Sequence, residues 1–117
     1  MGSAEKIMDE VFFGRMNDPT GSSYLKGPCG DEMEFYLAIK DNTIIEAKCY
    51  TEGCDATRSC GIMAAKAACG RTVDKALLIS AGEVLGRLKD LPDDHRHCSI
   101  LAVSALYRAI ADYLLKP

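Results

Sequence analysis

The stretch "EFYLAIKDNTIIEAKCYTE", residues 34–52, decides the fold. Phe35, Leu37 and Ile39 alternate with Glu34, Tyr36, Ala38 and Lys40, the period-two pattern of a strand that buries one face. Asp41 and Asn42 then form a two-residue turn, both being residue types that tolerate the left-handed backbone such turns demand. The chain returns as a second strand, in which Ile45, Ala47 and Cys49 are expected on one face and Glu46, Lys48 and Tyr50 on the other. Two strands joined this tightly must be antiparallel.

Upstream, residues 14–31, "GRMNDPTGSSYLKGPCGD", are rich in turn formers and read as loop, with one short edge strand near Ser22 to Lys26. Residues 3–13 read as a helix with Ile7, Met8, Val11 and Phe12 as its apolar stripe. Downstream of the hairpin the period changes to that of a helix. Residues 56–69 place Cys60, Met63, Ala64 and Ala67 on one stripe, and Gly70 is the stop. Two short helices follow, with Thr72 and Ser80 as their caps. "LPDDHRHC", residues 91–98, is a loop, and from Ser99 a final helix runs to about Leu115 with Leu106, Ile110 and Leu114 toward the core. Strands come early and helices late. The expected class is α+β, a small antiparallel sheet packed by about five helices, in one domain over residues 1–117.

A chain of 117 residues buries enough surface to fold without disulfides or metal. Its net charge is −3 with no Lys/Arg run, which argues against a nucleic-acid partner. No tract reads as long enough to cross a membrane. The opening "MGSAEKIMDEVFF" carries acids early and lacks an apolar core, unlike a secretory signal. The expected compartment is the cytoplasm, where the six cysteines should be thiols.

Those cysteines divide into packing and chemistry. Cys49 lies on an apolar strand face and Cys60 on an apolar helix stripe, where a thiol is a small hydrophobe. Cys69 is about half a turn out of phase with Cys60 and faces elsewhere. Cys29, in "GPCGD", is presented by a loop, whereas Cys54 and Cys98 stand where helices begin. Unpaired backbone N–H groups there favour a thiolate, the nucleophilic and metal-binding form. No Cys-x-x-Cys occurs, so any shared site must be assembled by folding. Asp31 is two residues from Cys29 and can share its exposed face, although a turn aspartate more commonly bonds its own backbone. His97 adjoins Cys98, and one imidazole with three thiols suits zinc or an iron–sulfur cluster. The other histidine, His95, stands in an acidic loop with Asp93 and Asp94 and reads as solvated.

The segments "GPCGDEM" (27–33), "EGCDATRSC" (52–60) and "LPDDHRHCSILAVSALYRAIADY" (91–113) together resemble the signatures of the IscU/NifU-N iron–sulfur scaffold family, in order and near-matching spacing. The resemblance implies a three-stranded antiparallel sheet packed by helices, with the site on loops and helix N-termini. It carries over Cys29, Asp31, Cys54, His97 and Cys98 as ligands for a metal or cluster. It implies a scaffold and carrier rather than an enzyme. A cysteine desulfurase would supply persulfide sulfur, with Cys98 as acceptor. A ferredoxin would supply electrons, and a transient [2Fe–2S] cluster would pass to recipient apoproteins. The same ligand set could also bind zinc adventitiously in the purified protein, and a monomer or homodimer is expected. Asp31 or His97 in place of a fourth thiolate should make the cluster labile. The segment "LPDDH" departs from the family's Leu-Pro-Pro-x-Lys, with Asp93 and His95 replacing proline and lysine. That leaves no motif basis for carrying over an Hsp70-type chaperone. Two alternatives stand beside this reading: a SufU-like zinc-dependent sulfur acceptor, and a structural zinc-binding interaction domain. The first typically has an insertion between its second and third cysteines and lacks the histidine that His97 supplies here.

Overall fold

The computed structural model describes residues 10–27, 30–88 and 96–116. Three strands, β1 (Gly21–Lys26), β2 (Glu32–Lys40) and β3 (Thr43–Tyr50), form an antiparallel meander in the order β1-β2-β3. Four helices follow among the described residues: α1 (Asp55–Ala68), α2 (Val73–Ala76), α3 (Ala81–Arg87) and α4 (His97–Leu115). The α+β class and the three-stranded sheet agree with the sequence reading. Of the helix expected over residues 3–13, residues 3–9 lie outside the described residues; Glu10 is helical, but the chain turns at 11–12 and Phe13 already bridges to Cys49 of β3, so the helix ends earlier than expected.

The β2–β3 hairpin turns at Asp41 and Asn42, with φ of 52° and 62°, the paired left-handed conformation that matches strand twist. One expectation for β3 is corrected. Ile44 is fully buried and Ile45 is 58% exposed, the reverse of the predicted alternation. The register explains this: Ala38 pairs with Glu46 but Ile39 pairs with Ile44, so Ile45 is an extra residue in a β-bulge. Beyond the bulge the parity is as expected, and Ala47 and Cys49 join Phe35 and Leu37 in the core.

Helices α1 and α4 pack on that face of the sheet. The buried face of α1 is almost all small, with Cys60, Gly61, Ala64, Ala65, Ala67 and Ala68. This lets the helix approach closely: a Cβ at Gly61 would lie 2.7 Å from Cys49 Sγ. Gly70, at φ 90°, supplies the left-handed residue after α1. Its N–H donates to the Ile44 carbonyl at 2.8 Å, tying the end of α1 to the β3 edge. Thr72 and Ser80 cap α2 and α3 as expected, each side chain accepting a backbone N–H three residues on.

The last helix begins at His97, two residues before the predicted start, and buries Leu106 and Ile110 completely. Leu114, expected on the same line, is 55% exposed: each four-residue step turns about 40° past a full circle, so by Leu114 the line has left the core face, where Tyr113 packs instead. At 19 residues α4 is long and apolar enough to cross a membrane, contrary to the expectation that no tract is. Half of it is buried inside the fold, however, and its apolar side serves as core.

Candidate sulfur and metal site

Three chain segments meet at the N-terminal ends of α1 and α4. The first is the β1–β2 loop, closed by Gly27 N–H donating to the Asp31 carbonyl at 2.6 Å and Gly30 N–H to the Gly27 carbonyl at 3.0 Å. Gly30 has φ of 93°, where a side chain is strained, so the turn that delivers Asp31 requires glycine. The second is the connection from β3 to α1. Thr51 Oγ1 donates to the Glu32 carbonyl at 2.6 Å and accepts from Gly53 N–H at 3.0 Å, fastening this connection to the start of β2. A Cβ at Gly53 would lie 3.0 Å from Asp31 Cγ, so its absence makes room for the carboxylate. The third is the first turn of α4.

These segments bring Asp31, Cys54 and Cys98 together, with one ligand atom from each lying within 4.8 Å of the others. Cys54 occupies the N-cap of α1 and is exposed, whereas Cys98 is 1% exposed. Two thiolates and a carboxylate are a donor set that suits zinc or iron, with an open side for a further ligand. His97 is not within the converged triad. It opens α4, and its Nε2 lies 3.8 Å from Cys98 Sγ, next to the triad. Cys29 and His95 lie outside the described residues.

Sequence reading did not single out Thr57, yet its hydroxyl is common to all three converged residues. It donates to Asp31 Oδ2 and lies 3.4 Å from both Cys54 Sγ and Cys98 Sγ, and the residue is fully buried. A local signal existed. Three residues beyond an N-cap, a side chain points back along the helix toward the capping residue.

The Cys54 thiol is pulled below its ordinary range, first by the Thr57 hydroxyl and then by the backbone N–H groups of Thr57 and Ala56, against opposition from burial and the Asp31 carboxylate. No closed side-chain cap hydrogen bond forms, so the amides of the helix start act at longer range. Burial instead pushes the Cys49 thiol up to about 12. Cys60 is likewise pushed up to about 12, by burial first and then by the nearby Cys98 and Cys54 sulfurs. Both are fully buried, which agrees with the packing role expected of them. Cys69 is half-buried at the end of α1, with its thiol directed at the Ile45 carbonyl and away from the site.

This ordering predicts an alkylation pattern. The rate follows the thiolate fraction, so a lowered pKa makes Cys54 reactive at a pH where ordinary thiols are still protonated. Mass mapping after brief iodoacetamide treatment at pH 7 should find Cys54 modified well ahead of Cys49 and Cys60. Equal labelling of the three in the folded protein would refute the ordering.

The outer wall beside Asp31 is polar. A cavity of about 210 Å³ is lined by Asp31, Glu32, Glu34, Tyr50, Gly53 and Arg15 among others. Arg15 pairs with both oxygens of Glu34, at 3.1 and 3.0 Å, and its guanidinium lies 4.1 Å above the Tyr50 ring. That pairing holds the Glu34 carboxyl below the usual range.

Comparison with known proteins adds a family and a set of relatives. Residues 6–117 match the family model described as the NifU-like N terminal domain. The chain is 41% identical over 104 residues to iron–sulfur cluster assembly scaffold protein IscU 1 of Archaeoglobus fulgidus, covering 88% of this chain and 68% of that protein. It is 32% identical to the IscU scaffold protein of Escherichia coli K12, over 99% of this chain and 97% of that one. Among solved structures, the N-terminal NifU-like protein of Brucella abortus superposes with a TM-score of 0.69 at 18% identity, covering 90% and 86% of the two chains. A scaffold assigned to the SUF system of Fervidobacterium islandicum AW-1 gives 0.71 at 21% identity, over 91% and 94%. At those identities the structural likeness concerns the fold alone.

Proposed function

Because the chain belongs to the NifU-like N terminal domain family, we propose that it is an iron–sulfur cluster assembly scaffold. The observation that carries this reading is the convergence of Asp31, Cys54 and Cys98 from three separate segments. The cluster is cargo. Cys29, Cys54 and Cys98 hold it as a transient [2Fe–2S] unit, with Asp31 or His97 completing the set. Cys29 enters that set from its place in the sequence, two residues before Asp31. An oxygen or imidazole donor in place of a fourth thiolate leaves the cluster easier to release to apoproteins.

Sulfur arrives as the persulfide of a cysteine desulfurase. The Cys98 thiolate attacks the outer sulfur, forming a new S–S bond as the bond to the desulfurase cysteine breaks and that thiolate departs. Electrons for joining iron and sulfur come from a ferredoxin. The protein thus acts as acceptor and carrier and turns over no substrate of its own. The five described cysteines are all free thiols, which fits work in the cytoplasm.

The test is anaerobic incubation with a cysteine desulfurase, cysteine and ferrous iron, followed by visible absorption. A sulfur-to-iron charge-transfer band that decays on adding an apo-ferredoxin is the expected result. Retention of zinc alone, with no such band, would overturn the scaffold reading in favour of a zinc-dependent sulfur acceptor.

A further inference from the structure

The Thr57 hydroxyl lies within hydrogen-bonding range of Asp31, Cys54 and Cys98 at once. We infer that Thr57 is the positioning residue of this site, its hydroxyl holding the Asp31 carboxylate against the two sulfurs so that an oxygen donor stands ready beside the thiols. The inference rests on reading those three residues as ligands.

A hydroxyl has one proton to donate and lone pairs with which to accept. An ionised carboxylate only accepts, so the hydroxyl donates to Asp31, with the Cys54 and Cys98 sulfurs each 3.4 Å from the same oxygen. The oxygen is wholly enclosed, so no water can replace it. Asp31 itself is only half-buried, at the end of a glycine-hinged loop. Without the hydroxyl its carboxylate gains more from solvation than from standing beside two sulfurs, and it should turn outward. The thiols keep their places, because the helix starts hold them. Loss of the hydroxyl therefore removes the oxygen donor while leaving the sulfur donors.

The backbone gives Thr57 no other task. It is the third residue of α1, and the N-cap here is a cysteine with no side-chain cap bond to reciprocate. The side chain that elsewhere would reach back to the capping residue's amide is given over to the ligand set.

Cobalt(II) is a probe that reports donor type, through a sulfur-to-cobalt charge-transfer band and ligand-field bands that move with the coordinated atoms. Thr57→Val keeps the branched shape and removes the hydroxyl, and it should weaken cobalt binding about tenfold, the scale of one charge-assisted hydrogen bond. Its ligand-field spectrum should become that of Asp31→Ala. Thr57→Ser restores the hydroxyl and should recover both affinity and spectrum. In an Asp31→Ala background the penalty of Thr57→Val should shrink clearly, since most of the effect runs through the carboxylate and only the contacts with the Cys54 and Cys98 sulfurs remain to be lost. Thr57→Ala provides a second hydroxyl-free variant that must show the same spectrum, and thermal melts of the metal-free proteins separate folding from binding. Wild-type affinity in Thr57→Val, a penalty undiminished without Asp31, or no rescue by serine would each overturn the inference. Cobalt binding needs no desulfurase. A wild type that binds cobalt yet builds no cluster would therefore sink the scaffold reading and leave this one standing.

Discussion

Cys98→Ser is expected to abolish persulfide acceptance from a cysteine desulfurase, whereas Cys54→Ser keeps it, and neither variant should hold a stable cluster. A serine hydroxyl stays protonated at neutral pH and does not attack sulfur, so the loss should exceed tenfold rather than appear as a modest slowing. The assignment to Cys98 comes from its place in the first turn of a 19-residue helix, where unpaired amides favour an anion. His97 Nε2, at 3.8 Å, is positioned to take up the thiol proton. Exposure points the other way, since Cys98 is buried and Cys54 is exposed with its pKa lowered. Mass spectrometry of each variant after desulfurase and cysteine decides between them by the addition of one sulfur atom. Persulfide on Cys98→Ser, with none on Cys54→Ser, would move the acceptor role to Cys54.

Gly21→Ala is expected to destabilise the protein by about 3 kcal/mol, large for one added methyl group. A Cβ at Gly21 would collide with the Ala109 carbonyl oxygen of α4 and lie 3.1 Å from Tyr113 Cβ. The first obstacle is backbone, which cannot rotate away as a side chain can. The neighbouring residues depend on the same approach: Ser22 N–H donates to Asp112 Oδ2 at 3.0 Å, and Ser23 Oγ donates to the Ala105 carbonyl at 2.7 Å. Lifting β1 from α4 to admit the methyl group stretches both bonds, each worth about 1 kcal/mol. In a domain of this size the melting temperature should fall by about 10 °C. Gly86→Ala is the control. Nothing lies within 4 Å of its added Cβ in α3, and relief of glycine's entropy should make it neutral or stabilising by up to about 1 kcal/mol. Equal melting temperatures for wild type and Gly21→Ala would refute the close packing of β1 on α4.

Much of this was legible along the chain because the deciding interactions are local. Asp41-Asn42 encodes a turn through its own backbone preferences, and Thr72 and Ser80 cap helices through amides three residues away. The alternation of Phe35 and Leu37 needs only one buried face, and the small stripe on α1 needs only a helix. Where long-range packing intervenes, the reading slips. The bulge at Ile45 reverses the side-chain parity of the first half of β3, because a single unpaired residue turns every earlier one to the other face. Leu114 slips for a local reason: it lies on a line of four-residue steps that drift about 40° each, which carries it off the buried face.

The sequence by itself determined the class, the hairpin, the helix starts, and the three motifs that carry Cys29 with Asp31, Cys54, and His97 with Cys98. Each is a statement about neighbours in the chain, where backbone propensity and residue chemistry suffice. Only the tertiary structure decided which of these residues meet. It set Asp31, Cys54 and Cys98 within 4.8 Å, left His97 beside them, and centred the group on the Thr57 hydroxyl. Those distances follow from how closely α1 and α4 approach the sheet. That approach depends on small residues such as Gly21 and Gly61, whose effect lies in atoms they lack and in partners far away in sequence.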